Sequence, residues 1–176
     1  MSVLQQQVAA HARQIVESTL DNTSLLGVVA AGLHRVSEWR RYAERIVAIL
    51  QAGVPRACKT NKPKNEPLLQ ELCDGILKGS ECDLIREFPF MRWGSVSTKP
   101  DWSAEDIRLW VELKYVRKKA DIRQITEDIA ADITKYGDVL RRVVFIVYDP
   151  KHLIVDEASF AAPIVHRQEM LMYFIR

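Results

Sequence analysis

Residues 99–115 read KPDWSAEDIRLWVELKY. From Leu109 to Tyr115 the run is apolar except for an acid and a base at alternate positions, Glu112 and Lys114. Successive side chains of a strand point to opposite faces. Val111, Leu113 and Tyr115 therefore share one face, and Trp110, Glu112, Lys114 and Val116 share the other. Taken alone, Glu-x-Lys describes an ordinary solvent-facing strand. Asp101 changes that reading. If residues 96–102 and 109–116 form a hairpin turning near Asp106, Asp101 lies close to Glu112 across the two strands. Two carboxylates held together repel, and a protein relieves this by retaining a proton or binding a cation. Oxygen donors of this kind suit Mg²⁺ or Mn²⁺, which keep several waters and take one or two carboxylates plus substrate phosphates. Beside such an ion, Lys114 can orient an attacking water or, as the neutral amine, deprotonate it, and as the ammonium it can offset charge developing at phosphorus.

Outward from this stretch, the pattern is that of a mixed α/β domain. EPLLQELCDGILKG, from about Glu66, reads as a helix with Pro67 in its first turn and Gly79 at its end. Residues 83–93 read as a strand, 96–102 as a second and 109–116 as a third. Residues 120–138 form a helix with Ile122, Ile125, Ile129 and Ile133 on one face. RRVVFIVYDP is a continuous apolar strand of the kind found in the middle of a sheet, closed by Asp149-Pro150. A short helix near 157–162 and a last strand over 170–175 complete the order. The expected fold is a mixed sheet of four to five strands flanked by helices.

The first fifty residues read as two helices, a predicted helical hairpin over residues 1–53. Its second helix carries Leu25, Val29, Leu33, Val36, Ala43, Val47 and Leu50 on one stripe and is expected to stop near Gly53, with Pro55 behind it. An apolar stripe of that length needs a cover, and a homodimer or a partner protein is the expectation. Residues 54–65, rich in Pro, Lys and Asn, read as a basic linker, followed by the mixed α/β domain over 66–176.

Composition narrows the class. A net charge of +2 argues neither for nor against nucleic acid, because patches matter more than totals. The three cysteines, Cys58, Cys73 and Cys82, have no C-x-x-C spacing, which speaks against a zinc site and for a reducing cytoplasm. The start is too polar for a signal peptide, and no apolar stretch is long enough to span a membrane. A soluble cytoplasmic protein is expected.

Pro100-Asp101, ten residues, then Glu112-Leu113-Lys114 resembles the PD-(D/E)XK signature of the restriction-endonuclease-like nucleases. The α-β-β-β-α-β order over about residues 64–150 is similar to that superfamily's core, and VFIVYDP resembles the following strand of bacterial members linked to defence systems. The resemblance implies a Mg²⁺- or Mn²⁺-dependent nuclease that hydrolyses DNA, with roles in phage defence, restriction or repair. It implies that Asp101 and Glu112 hold the ion and that Lys114 is catalytic. It also implies a further acid from the first core helix, Glu66 or alternatively Glu71, and a polar residue from the later helix, Gln124. DNA binding of this kind needs a positive surface. Arg117, Lys118 and Lys119 directly after the strand, Arg123 one turn on, and Lys62 and Lys64 in the linker are the candidates for it. The rival reading is a non-catalytic module that uses the same fold to bind nucleic acid or protein. Asp101 is then a routine turn residue, Glu66 an acid that complements a helix dipole, and Gln124 a surface residue.

Overall fold

The chain divides into two units, residues 1–40 and 41–176, and the structure, a computed structural model, describes residues 38–93, 96–137 and 141–176. The first described element is a helix over 38–60 (α1), which belongs to the second unit from Arg41 onward. It is followed by α2 (Glu66–Gly79), β1 (Ile85–Arg86), β2 (Met91–Trp93), β3 (Val96–Thr98), β4 (Trp102–Ala104), β5 (Leu109–Tyr115), α3 (Asp121–Gly137), β6 (Arg142–Tyr148), α4 (Glu157–Val165) and β7 (Met170–Ile175). Five strands form one mixed sheet in the order β1-β4-β5-β6-β7, and β2 and β3 form a separate hairpin. The pairs β1/β4 and β4/β5 are antiparallel, while β5/β6 and β6/β7 are parallel. This is the α/β architecture expected, with five strands.

β5 and β6 occupy the centre because their sequences suit burial on both faces. All seven residues of β5 are buried, as are six of the seven in β6. The register sets Trp110, Glu112 and Lys114 beside Val143, Phe145 and Val147 on one face. On that face Ile125, Ile129 and Ile133 of α3 join the same core cluster, and Tyr136 meets Trp110 edge-on with ring centroids 4.8 Å apart. The other face, with Val111, Leu113, Val144 and Ile146, is apolar and fully buried. Here α2 packs on β5, burying Leu69, Cys73 and Leu77.

Two expectations change. The helix expected to stop near Gly53 instead runs through Pro55 to residue 60, leaving residues 61–65 as the loop within the predicted 54–65 linker. A Cβ on Gly53 would lie 2.8 Å from Cγ2 of Ile76. The glycine there permits a close approach of α1 and α2 rather than a helix end. Pro55 removes one backbone donor from α1, but Val47, Leu50 and Val54 are buried in the turns just before it and hold the helix in place. The strands read over 83–93 and 96–102 are in fact four short ones, two in the sheet and two in the hairpin. The first N-terminal helix and the stripe positions Leu25 to Val36 lie outside the described residues. The later stripe positions Ala43, Val47 and Leu50 are buried.

Short polar side chains fix the connections. Asn65 caps α2 by accepting a hydrogen bond from the Leu68 amide at 3.1 Å, and Asp156 caps α4 by accepting from Ser159 at 2.9 Å. Asp149, fully buried at the end of β6, accepts from the amides of Leu153 (3.0 Å) and Ile154 (2.8 Å) and from the Arg176 guanidinium (2.8 Å).

Candidate active site

The site forms where β5 runs on past the first residue of β4. The β4/β5 register pairs Ala104 with Leu109, Ser103 with Trp110 and Trp102 with Val111, and one further step sets Asp101 opposite Glu112. Opposed residues of an antiparallel pair share a face. Beyond Trp102 the edge of β5 has no strand partner, and buried backbone donors must find acceptors. Side-chain carboxylates supply them. Asp101 Oδ2 accepts from the Leu113 amide at 2.7 Å, and Glu66 Oε2 accepts from the Tyr115 amide at 3.0 Å. Glu66 stands at the start of α2, so the helix cap delivers it to the edge of the sheet. Glu71, the alternative acid, is exposed and lines a cleft with Lys62 and Lys64. Gln70 donates from Nε2 to Asp101 Oδ1 at 2.7 Å.

On the face toward α3, the Lys114 ammonium lies 2.9 Å from Asp132 Oδ2 and 3.6 Å from Glu112 Oε2. Tyr136 donates its hydroxyl to Glu112 Oε1 at 2.7 Å. Glu112, Lys114 and Asp132 are all buried, at 4%, 8% and 7% exposure, so the charges are shielded from water and act strongly on one another.

The electrostatics follow from that crowding. Burial, and then the facing Asp101 carboxylate, push Glu112 up to about 8. Burial pushes Asp101 up to about 7, against the lowering effects of the Leu113 amide and Lys114, with Glu66 adding to the rise. Burial also raises Glu66. Lys114 moves the other way from a solitary buried lysine. Burial would lower it, but Glu112 and Asp132 outweigh that and hold the ammonium charged. The arrangement is acid-rich and short of positive charge.

Among the described residues no group of three or more His, Cys, Asp or Glu side chains is placed to hold a metal ion. The donors present are a facing pair of carboxylates, both pushed upward in pKa. That pair fits a hard divalent cation, which takes one or two carboxylates and fills its remaining positions with water and phosphate oxygens.

Of the residues singled out by sequence, Glu66, Asp101, Glu112 and Lys114 come together. Gln124 does not join them. It is exposed and donates to Asp128 Oδ1 at 2.9 Å. Eight residues separate it from Asp132, about 12 Å along the helix axis, and it is Asp132 that meets Lys114. Asp132 and Tyr136 are the residues that sequence reasoning missed. The signal was there: positions 124, 128, 132 and 136 form a polar row at helical spacing directly beside the isoleucine row 125, 129 and 133. An acid inside a buried helical face needs a partner.

The basic candidates separate into two groups. Arg117 donates from Nη1 to the Lys64 carbonyl at 3.2 Å, and Tyr115 donates its hydroxyl to the Pro63 carbonyl. These contacts bring the 61–65 loop, with exposed Lys62 and Lys64, to the end of β5, where Arg117, Lys118 and Lys119 are exposed. Arg123 lies apart in the first turns of α3, in an exposed ion pair with Glu127 at 2.9 Å.

No described helix is long and apolar enough to cross a membrane. Compared with known families, residues 40–174 match the family model REase_DpnII-MboI, that of the DpnII-MboI restriction endonucleases. No curated protein and no solved structure matches the chain.

Proposed function

Because this chain belongs to the DpnII-MboI restriction endonuclease family, we propose that it is a Mg²⁺- or Mn²⁺-dependent DNA endonuclease whose centre is Asp101, Glu112 and Lys114. The observation that carries this reading is the facing Asp101–Glu112 carboxylate pair with the Lys114 ammonium 3.6 Å from Glu112. Asp101 and Glu112 are the residues that would hold the ion, with Glu66 near enough to add to the local negative charge. A divalent ion there supplies positive charge at the scissile phosphate and eases deprotonation of water. Lys114 donates a hydrogen bond to the attacking water or to the phosphate oxygens, where charge builds in the transition state. Asp132 orients that ammonium, and Tyr136 fixes the Glu112 carboxylate. Gln70 and the Leu113 amide hold Asp101 in its rotamer. Arg117, Lys118, Lys119, Lys62 and Lys64 neutralise backbone phosphates next to the site, a contribution that weakens as salt rises.

The biological role within this reading is restriction of foreign DNA, as in defence against phage. Self-association through the N-terminal unit, or docking of a partner there, belongs to the same proposal and is tested by sedimentation of the full chain. The activity is tested by incubating the purified protein with plasmid and linear DNA in Mg²⁺, Mn²⁺ or EDTA. Cleavage in the metal arms alone is the expected result. A protein that binds DNA but cuts nothing in any arm is instead the non-catalytic module.

A further inference from the structure

Two phenylalanines stand outward beside the site. Phe90 is 70% exposed and Phe88 is 46% exposed. Single exposed apolar residues are common on protein surfaces, but two aromatic rings within three residues form a patch that calls for a partner. Their position is set by the site itself. The Glu87 amide donates to the carbonyl of Asp101 at 3.0 Å, so the segment that carries the rings starts at the backbone of a candidate catalytic residue. At the same open end of the β2–β3 hairpin, where Met91 pairs with Thr98, Lys99 places its ammonium 5.6 Å from the Phe90 ring centroid and pairs with Glu87. Lys99 is two residues from Asp101. Exposed aromatic rings with a cation beside them match the composition of a nucleic acid, which presents π-faced bases next to phosphates.

We propose that Phe88 and Phe90 form a base-contacting platform of this nuclease, stacking on the bases beside the cleaved phosphate, while Lys99 takes a neighbouring phosphate. The inference rests on the endonuclease reading above and deepens it by assigning residues that touch bases rather than backbone. Phosphate contacts from Arg117 to Lys119 and from the 61–65 loop position the duplex without reading it. Phe88 and Phe90 would make affinity depend on the bases themselves, because apolar wedges and stacked rings deform or unstack the step they touch.

The test uses the full chain in EDTA with a short labelled duplex, so that binding is read without cleavage. Phe90→Ala should weaken binding roughly 5- to 150-fold, the range of one lost base–aromatic stack, with melting temperature unchanged because the ring is exposed. Phe90→Trp should restore it. Lys99→Ala should instead lower the salt dependence of binding by about one counterion. A photo-crosslinking phenylalanine analogue at position 88 or 90 should attach to the bases, whereas the same analogue at Val155, 90% exposed, should not. If the wild type binds and cuts DNA while the double variant Phe88→Ala, Phe90→Ala does both equally well and no cross-link forms, the platform is wrong and the nuclease stands. If the wild type neither binds nor cuts DNA, both readings fail together. A double variant that loses self-association in sedimentation but keeps its DNA affinity assigns the patch to a second copy and overturns the proposal.

Discussion

Asp101, partly buried, and Asp149, fully buried, are aspartates at strand ends that both accept backbone amides, yet their surroundings are opposite. Asp149 receives the amides of Leu153 and Ile154 and the Arg176 guanidinium. Its charge is matched, and the cluster ties the end of β6 to the last residue of the chain. Asp101 receives Gln70 and the Leu113 amide, but its opposite neighbour is another carboxylate, Glu112. Amide acceptance is common to both. What separates the two aspartates is the sign of the charge that faces each. In the first case the fold sets a guanidinium against the carboxylate, and in the second it sets another acid there.

The sharpest way to break this contrast is Lys114→Ala. Cleavage should fall at least roughly 100- to 1000-fold in a plasmid-nicking assay, the scale of losing one preorganised charge at the transition state. The structure sets a further cost, because Asp132 and Glu112 lose their buried cation. A denaturation midpoint should record about 3–5 kcal/mol of destabilisation. Lys114→Ala with Asp132→Asn removes one of the stranded charges and should regain part of that stability without regaining activity.

Asp149→Ala probes the other half of the comparison. It strands two amides, while the Arg176 guanidinium keeps Glu157 and the Ile154 carbonyl, and should cost about 1–3 kcal/mol per stranded amide by chemical denaturation. Activity per folded molecule should stay at the wild-type level. A loss of cleavage with unchanged stability would put Asp149 in the catalytic machinery and dissolve the contrast.

Asp101→Asn should have a smaller effect on stability, and of the opposite sign. Asp101 and Glu112 have folded pKa values raised above those of the unfolded chain, to about 7 and about 8. An acid raised in this way contributes stability that is full below its unfolded value, near 4, and is lost as pH rises through the folded value. In EDTA the wild type should therefore lose stability between about pH 4 and pH 8. Asp101→Asn should flatten that slope and be the more stable protein at pH 8, by on the order of 1–3 kcal/mol. Added Mg²⁺ or Mn²⁺ should raise the melting temperature of the wild type and leave the variant unmoved. Equal metal responses from the two proteins would remove Asp101 from the ion.

Arg123→Ala should do least. Its ion pair with Glu127 is exposed, so stability should change by no more than about 0.5 kcal/mol. DNA affinity should drop less than in Arg117→Ala, whose side chain stands with the loop lysines at the end of β5.

Much of this was legible in the residues. The alternation of 109–115 gave the two faces of β5, the Pro-Asp turn before it gave Asp101, and the apolar run of 142–148 gave the central strand. The isoleucine row of 120–138 gave α3 and its buried side. Gly53 misled because a glycine near a proline is the ordinary mark of a helix end, whereas here the missing Cβ admits Ile76 from another helix. Residues 83–102 misled because an extended run says nothing of where a sheet will drop it.

By itself, then, the sequence determined which residues are apolar, with what period, and that an acid, an acid and a lysine fall on one face of a strand pair. Those are local facts, dictated by backbone geometry. Only the tertiary structure decided which residues complete the site. β4 begins only at Trp102, which leaves the β5 amides beyond it without a strand partner and makes acceptors of Asp101 and Glu66. The axial position of α3 sets Asp132, not Gln124, against Lys114. Both depend on how far one element slides past another before packing and hydrogen bonding are satisfied together, and no local pattern records that distance.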